Sequence, residues 1–389
     1  MRTSSTPAIP STPSIASIAF IAAFTVCCVP LGAQQTVIPD IPGFKTLQCD
    51  FHMHTTFSDG SVFPTVRVDE AAREGLSAFA ITDHSERRRN VENPSISRNR
   101  PHELAAPAAK AKNIVLIRGT EITREMPPGH LNAIFIKDAD AIYNKNDWRA
   151  SLAEAKKQGA FITWNHPGWN NQQPHITRWF PEHDEIHKNG MMHGIEVANG
   201  GVYFPEAFQW ALDKKLTMLG CSDVHTPQPP SYDIAKGEHR CMTLVFAKEH
   251  TAAAIRDALN NRRTAVYCGA LLLGEERWLR PLLEKSLVVK SITYLKAAPG
   301  SSQGNRIAIT LKNNSSLTFH LKKIVPGVKP VYLREYVVKP HGQTTVNVGH
   351  PDETGTHEVL FHITNLLITP ETPLPHTITT PPNLTPTTP

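Results

Sequence analysis

Between Lys45 and about Arg280, short apolar runs of β type alternate with stretches whose apolar residues recur at helical spacing. Such alternation is the signature of successive βα units around a mostly parallel sheet. Pro64 through Glu74 has helical spacing and stops at Gly75, after which Ala78-Phe79-Ala80-Ile81 reads as a strand. Trp148 through Gln158 repeats the device, with Asp147 as N-cap and Gly159 as stop, ahead of Phe161-Ile162-Thr163-Trp164. Two further copies are Pro205 to Lys214 before Leu216-Thr217-Met218-Leu219, and Ala252 to Asn260 before Ala265-Val266-Tyr267. The segment from Ser85 to Lys112, with Arg87-Arg88-Arg89 and several prolines, breaks the rhythm. It reads as a long loop with a helix near its end, either a substrate lid or an ordinary solvated insertion.

After Glu284 the texture changes to alternating apolar and polar residues. Leu287-Val288-Val289, Ile307 to Leu311, Val331-Tyr332-Leu333, Thr344 to Val348 and Val359 to Ile363 read as strands separated by turn-forming residues. A small antiparallel β-sandwich is the expected second domain. From residue 370 the chain is Thr/Pro-rich and is expected to lack regular structure. The expected organisation is a leader at 1–33, an α/β domain at 34–283, the all-β domain at 284–369 and a tail at 370–389.

The leader follows from Arg2, the apolar run Ile15 to Val29 and the small-residue stretch Leu31-Gly32-Ala33 before Gln34. That run is shorter than the roughly 20 residues of a membrane span, so the reading is a signal peptide and an exported, periplasmic or extracellular protein, with an uncleaved anchor as the alternative. Export would leave Cys49, Cys221, Cys241 and Cys268 where disulfides are permitted. Their spacing fits no zinc motif and three adjoin apolar runs, so small core residues are expected rather than cross-links. The formal net charge of +5 is scattered, with no basic and aromatic stripe to track a nucleic-acid polymer.

Histidine is the informative excess: 12 of the 19 lie between His52 and His239. His52 and His54 are two apart on an extended stretch, so both imidazoles can face one metal. Each later apolar run ends in another ligand-type residue. Ile81-Thr82 leads into Asp83-His84, Gly119-Thr120 into Glu121, Trp164-Asn165 into His166, and Cys221-Ser222 into Asp223-Val224-His225, while His130 opens a further run. Strand ends of a parallel barrel converge on one rim, so these residues are expected in one pocket.

Taken in order, His52-Met53-His54 with Ser58-Asp59-Gly60, Ile81-Thr82-Asp83-His84, Gly119-Thr120-Glu121, Asn165-His166-Pro167 and Ser222-Asp223-Val224-His225 resemble the PHP (polymerase and histidinol phosphatase) superfamily. The resemblance implies an α/β fold, a distorted (β/α)7 barrel, here followed by the small all-β domain, with two or three divalent ions (Zn, Mn or Fe) at the strand ends. By motif, His52, His54, Glu121 and Asp223 would hold one ion, and Glu121 would bridge to a second held by His130 and His166. Asp59, which stands where some members carry histidine, would hold a third with His84 and His225. Asp83 would orient a ligand imidazole from behind.

The resemblance implies hydrolysis of a small phosphomonoester or phosphodiester by a metal-bridging hydroxide, with Glu121 and His225 as catalytic residues. Two other readings stay open: the same centre acting on an amide or lactone, and a binding protein working through its β domain. Arg87 to Arg89, Arg124 and Arg240 are candidate phosphate clamps, against solvated surface positions. His175, His183, His187 and His193 are expected to face solvent, with a substrate contact as the alternative. Glu196 reads as a carboxylate bonding backbone amides, or as one that supports the ligands.

Overall fold

A computed structural model of the chain describes residues 36–88, 95–229, 238–298, 304–325, 334–349, 356–382 and 386–387. The expected leader, Arg89 and the expected strand Val331-Tyr332-Leu333 lie outside them.

The α/β domain opens with β1 (Lys45–Asp50), α1 (Pro64–Arg73), β2 (Ala78–Ile81), α2 (Arg100–Ala111) and β3 (Val115–Ile122), whose strands pair in parallel. β4 (Leu131–Ile134) then runs antiparallel to β3 and to β5 (Phe161–Trp164), which follows α3 (Ala139–Ile142) and α4 (Trp148–Lys157). Parallel order returns through α5 (Pro181–Lys188), β6 (Gly194–Asn199), the short β7 (Val202–Tyr203), α6 (Pro205–Asp213) and β8 (Thr217–Cys221), with β6 between β5 and β8. β9 (Met242–Ala247), α7 (Ala252–Asn260) and β10 (Thr264–Cys268) complete the layer, β9 lying antiparallel to β1.

The sheet curls until its two ends meet. Met53 and Val224 form a parallel bridge, and Thr243 Oγ1 accepts from Gly220 N (3.0 Å) and donates to Gly220 O (2.9 Å). Ile255, Ala258 and Leu259, one face of α7, bury against Leu47, Ile117, Phe161 and Val245, as helical periodicity requires of an amphipathic helix. Local chemistry sets the helix ends: Asp147 accepts from the amides of Arg149 and Ala150 at the start of α4, and Gly159 takes φ 75° just past its end. Losing such a cap costs about 1 kcal/mol.

β11 (Leu271–Gly274) and α8 (Glu276–Ser286) lead directly into β12 (Leu287–Leu295). The expected boundary at 283 and 284 therefore falls inside a helix, and no linker separates the two domains. Next come β13 (Arg306–Asn313), β14 (Phe319–Lys323), β15 (Glu335–Val338), β16 (Gln343–Gly349), β17 (Glu358–Leu367), β18 (Pro373–Thr379) and β19 (Pro386–Thr387). One layer has the order β16-β13-β12-β19, while β15, β14, β17 and β18 form the other. Their inner residues make an all-β sandwich core. β17 pairs in parallel with β11, so the ladder continues into the barrel sheet. Phe246, Leu272 and Leu283 share one apolar cluster with Leu311, Phe319 and Phe361. Each such buried side chain contributes roughly 1.5–3 kcal/mol.

Three expectations are corrected. The tail expected from residue 370 contains β18, because Leu374 and Ile378 alternate into the sandwich core and the strand pairs with β17. Cys241 and Cys268 form a disulfide, because antiparallel register brings the start of β9 opposite the end of β10; Cys49 and Cys221 are buried free thiols as expected. The sheet is less parallel than its rhythm suggests, since an antiparallel hairpin joins β3 to β4.

Among the described residues no helix is long and apolar enough to cross a membrane.

Candidate metal centre

All nine expected ligand residues gather at one rim. His52 and His54 follow β1, His84 follows β2, Glu121 closes β3, His166 follows β5, and Asp223 and His225 follow β8. His130 precedes its strand, yet it reaches the same rim because β4 runs backwards: Leu131 pairs with Ile122 on one side and Trp164 on the other. Asp59 arrives on the turn after His54. That turn needs Gly60, because a Cβ there would lie 2.8 Å from the His54 carbonyl carbon.

Glu121 is the hub. Its Oε1 lies 3.3 Å from His52 Nε2, 3.1 Å from His130 Nδ1 and 3.7 Å from His166 Nε2, and accepts from Asn165 Nδ2 at 2.8 Å. Its Oε2 touches His84 Nδ1 and lies 3.9 Å from His54 Nε2. Asp223 Oδ1 lies 3.2 Å from His52 Nε2 and 3.1 Å from His54 Nε2. On the outer side, Asp59 stands 3.3 Å from His84 Nε2 and 3.2 Å from His225 Nε2. Among the described residues, ligand atoms fall within 4.8 Å of one another in four overlapping groups: His52, His54 and Glu121; His52, His166 and Asp223; His84, Glu121 and His130; His54, Asp59, His84 and His225. His84 thus stands between Glu121 and Asp59 rather than wholly in an outer site.

The donor chemistry fits divalent cations. Glu196 Oε1 lies 2.8 Å from His52 Nδ1, and a carboxylate can only accept, so Nδ1 carries the proton. The Nε2 lone pair of His52 then faces His54 Nε2 at 3.1 Å and two carboxylate oxygens. Lone pairs so close repel unless a positive charge lies among them. His130 Nε2 and His166 Nδ1 are buried without a hydrogen-bond partner, another arrangement that costs free energy unless a cation or ligand is bound. Imidazole and carboxylate donors together suit Zn, Mn or Fe.

The electrostatics follow from crowding. Burial raises the carboxyl pKa of Glu121, but His130, His84 and His52 outweigh it and hold it well below the usual range. Burial would depress His84, yet Glu121 and Asp59 push it to about 10. His54 is lowered to about 3, by burial and by His84. For His225 the Asp59 and Asp223 carboxylates outweigh burial and raise the pKa.

The sequence reads Glu196 as bonding backbone amides or supporting the ligands, and it does both; Thr123 and Arg67 left no such signal. Glu196 also accepts from the His166 amide and from Asn199, both at 2.7 Å. Thr123 Oγ1 lies 2.7 Å from His84 Nδ1. Arg67, wholly buried, donates to the carbonyls of His54, Val224 and Thr226 and so binds the seam between β1 and β8. His166 and Asp223 hold φ of 30° and 53°, a left-handed backbone that costs of order 1–3 kcal/mol. The Glu196 bond to the His166 amide and the bond from Asp223 N to His52 O (2.9 Å) hold them there.

Other expectations change. Asp83 does not touch an imidazole; it accepts from Thr55 N, Thr55 Oγ1 and Ser58 Oγ, and reaches His54 only through that hydroxyl. Arg240 is buried on Asp50 and Glu74, and Arg124 pairs with Glu86, so neither is free to clamp a phosphate. Among the described residues, Arg87 alone of the candidate clamps lines the cavity. His183 is buried rather than solvent-facing: it stacks on Trp164 and bonds Pro128 O at 2.8 Å, fixing the turn before His130. His175 is exposed, while His187 and His193 bond the backbone of neighbouring elements. The helix expected near the end of the Ser85 to Lys112 segment is α2.

Above the cluster lies a cavity of about 310 Å³, lined by Asp59, His84, His130, His166, Asp223 and His225, with Arg87, Trp169 and Asn171 at its wall.

The PHP domain family matches residues 50–182, and a family described as an Ig-like domain matches residues 292–379. No curated protein matches the chain. Among solved structures, a two-domain protein from Bacteroides vulgatus, containing a predicted PHP-like metal-dependent phosphoesterase, is 46% identical with a TM-score of 0.81. The alignment covers 90% of this chain and 99% of that one. A proposed metal-dependent phosphoesterase from Bifidobacterium adolescentis aligns at 17% identity and TM-score 0.39, over 54% of this chain and 95% of that one. An amidohydrolase from Chromobacterium violaceum with bound sulfate aligns at 18% identity and TM-score 0.36, over 46% and 88%. With the 46% identity running through both domains of the molecule, this chain belongs to the PHP-like metal-dependent phosphoesterase family, in a two-domain form with a C-terminal Ig-like domain.

Proposed function

We propose that the chain hydrolyses a small phosphomonoester or phosphodiester at a centre of two or three divalent ions, Zn, Mn or Fe. The observation that carries this reading is the convergence of nine imidazole and carboxylate side chains at one rim, six of them lining one cavity. Ions bound there would supply a water of lowered pKa and neutralise charge on the phosphoryl oxygens. A volume of about 310 Å³ accommodates a small ester.

The chain's own groups have separable tasks. Glu121, central to two of the ligand groups, tethers them as one unit. Arg87, partnered by the exposed Glu125 at 3.1 Å, can swing to an incoming anion. His225 lies at the cavity mouth with Nδ1 against Asp223 O at 2.8 Å and Nε2 3.2 Å from Asp59. With Nδ1 donating to that carbonyl, Nε2 is left facing Asp59 and the cavity, placed to hold the outer ion or, where that ion is not bound, to carry a proton to the departing oxygen. We further propose export, on the strength of the apolar run Ile15 to Val29; the Cys241–Cys268 disulfide accords with an oxidising compartment.

The decisive experiment is metal analysis of protein purified without chelator, joined to a panel of phosphate monoesters, diesters, amides and lactones. Metal-loaded protein should turn over phosphate esters, and Glu121→Ala and His54→Ala should lose that activity by orders of magnitude. Preference for amides or lactones, or full activity in both variants, would overturn the reading.

A further inference from the structure

Arg240 lies outside the cavity and takes no part in the chemistry described above, yet it is fully buried and fully committed. Its Nη1 donates to Asp50 Oδ2 at 2.9 Å, and its Nε and Nη2 donate to the two carboxylate oxygens of Glu74 at 2.6 and 3.0 Å. Asp50 passes the connection on. Its Oδ1 accepts from the His52 amide at 3.3 Å and from the Ser222 amide at 3.2 Å, and its Oδ2 accepts from the Ser222 hydroxyl. Those two segments are the ends of β1 and β8, and they carry His52 and Asp223 into the centre. One carboxylate therefore ties together two ligand-bearing backbones that are 171 residues apart in sequence, as far as 52 is from 223.

The other end of this chain of bonds is covalent. Cys241, the next residue after Arg240, is disulfide-bonded to Cys268, where β10 ends. His239, on the other side of Arg240, stacks on Tyr267 at 3.5 Å and bonds Gly269 O at 2.8 Å. The backbone that bears Arg240 is thus fixed to β10 immediately before and after it. A free arginine of the same pairing could follow Asp50 if the seam between β1 and β8 shifted; one pinned to β10 cannot.

We propose that Arg240, pinned by the Cys241–Cys268 disulfide, is a positioning residue that fixes His52 relative to Asp223 through Asp50 and so sets how tightly the chain holds divalent ions. This rests on the metal reading of the centre but not on any substrate. A buried charge pair alone is weak support for stability; its attested use is to specify one arrangement, and here the arrangement specified is that of two ligands.

The test reads metal affinity rather than turnover. Zn²⁺ and Mn²⁺ dissociation constants would be measured by chelator competition for the wild type, Arg240→Lys and the double variant Cys241→Ser with Cys268→Ser. Circular dichroism and metal-free melting would confirm that each variant folds. Lysine keeps the charge but cannot span Asp50 and Glu74 together. Affinity should fall on the order of tenfold or more in Arg240→Lys, within the range found for groups that support metal ligands, and severalfold in the double variant. The visible spectrum of the Co²⁺-loaded protein should shift in both, which a purely structural role would not cause. Should the double variant fail to fold, wild-type protein whose disulfide has been reduced, and from which the reductant has been removed anaerobically because thiols bind Zn²⁺, supplies the disulfide comparison. Affinity within twofold of wild type and an unchanged Co²⁺ spectrum would overturn the clamp while leaving the metal centre standing. A wild type that binds neither ion would overturn the centre itself, and the clamp with it.

Discussion

Glu196 Oε1 stands 2.8 Å from His52 Nδ1, joining β6 to the end of β1 across the barrel. The same carboxylate holds the His166 amide, so one side chain orients two candidate ligands. Glutamine in its place retains an oxygen but no charge, and can turn its amide donors toward either partner. Glu196→Gln should lower metal affinity on the order of 10–100-fold with little change in the metal-free melting temperature. Equal chelator-competition curves for the two proteins would refute this.

Gly60 lies where a Cβ would press on the backbone of His54 and Thr55, at 2.8–2.9 Å. Gly60→Ala must therefore push the turn outward and carry Asp59 away from His84 and His225. The expected outcome is a loss of the weakest-bound ion, counted by plasma emission spectrometry, while ions held by His52, His54 and Glu121 remain. Full metal content would show that Asp59 is dispensable.

His183 accepts from Phe180 N at Nδ1 and faces Pro128 O at Nε2. Burial lowers its pKa from 6.5 to about 4. Below pH 6.5 the unfolded chain takes up a proton that the folded chain refuses until about pH 4, so this group makes stability fall as pH drops through that window. Chemical denaturation of wild type and His183→Gln should therefore converge in free energy as pH falls from 7 to 4. A constant gap would contradict the assignment.

The β11 to β17 ladder and the common apolar cluster join the barrel and the Ig-like domain into a single folding unit. Calorimetry should show a single transition, and a chain ending near Glu284 should be insoluble or melt far below the full protein. Two separate transitions would contradict the shared core. For this reason removing the β domain cannot serve as a test of its function.

The sequence was most legible where physics is local. Helix stops at Gly75 and Gly159, the Asp147 cap and the four strand ends leading to His84, Glu121, His166 and Asp223 all follow from neighbours a few residues away. What it hid depends on register between distant segments. The disulfide needs β9 and β10 aligned, the choice of His52 as partner of Glu196 needs β6 beside the end of β1, and Arg240 needs both Asp50 and Glu74 within reach. Proximity of that kind leaves no periodic trace. Leu374 and Ile378 of β18 were hidden differently, by threonine and proline whose bulk composition outweighs two inward-facing apolar residues.

Because β4 runs backwards, the segment Thr123 to Gly129 is a hairpin connection standing on the catalytic rim. A crossover loop must deliver the chain to a helix of fixed position, and a change in its length strains the whole outer shell. A hairpin has no such obligation: between the Thr123 contact to His84 and the Pro128 contact to His183, it can exchange residues while both strands stay paired. This stretch, which presents Glu125 to Arg87 of the cavity wall, is where the scaffold can most cheaply change what the cavity admits.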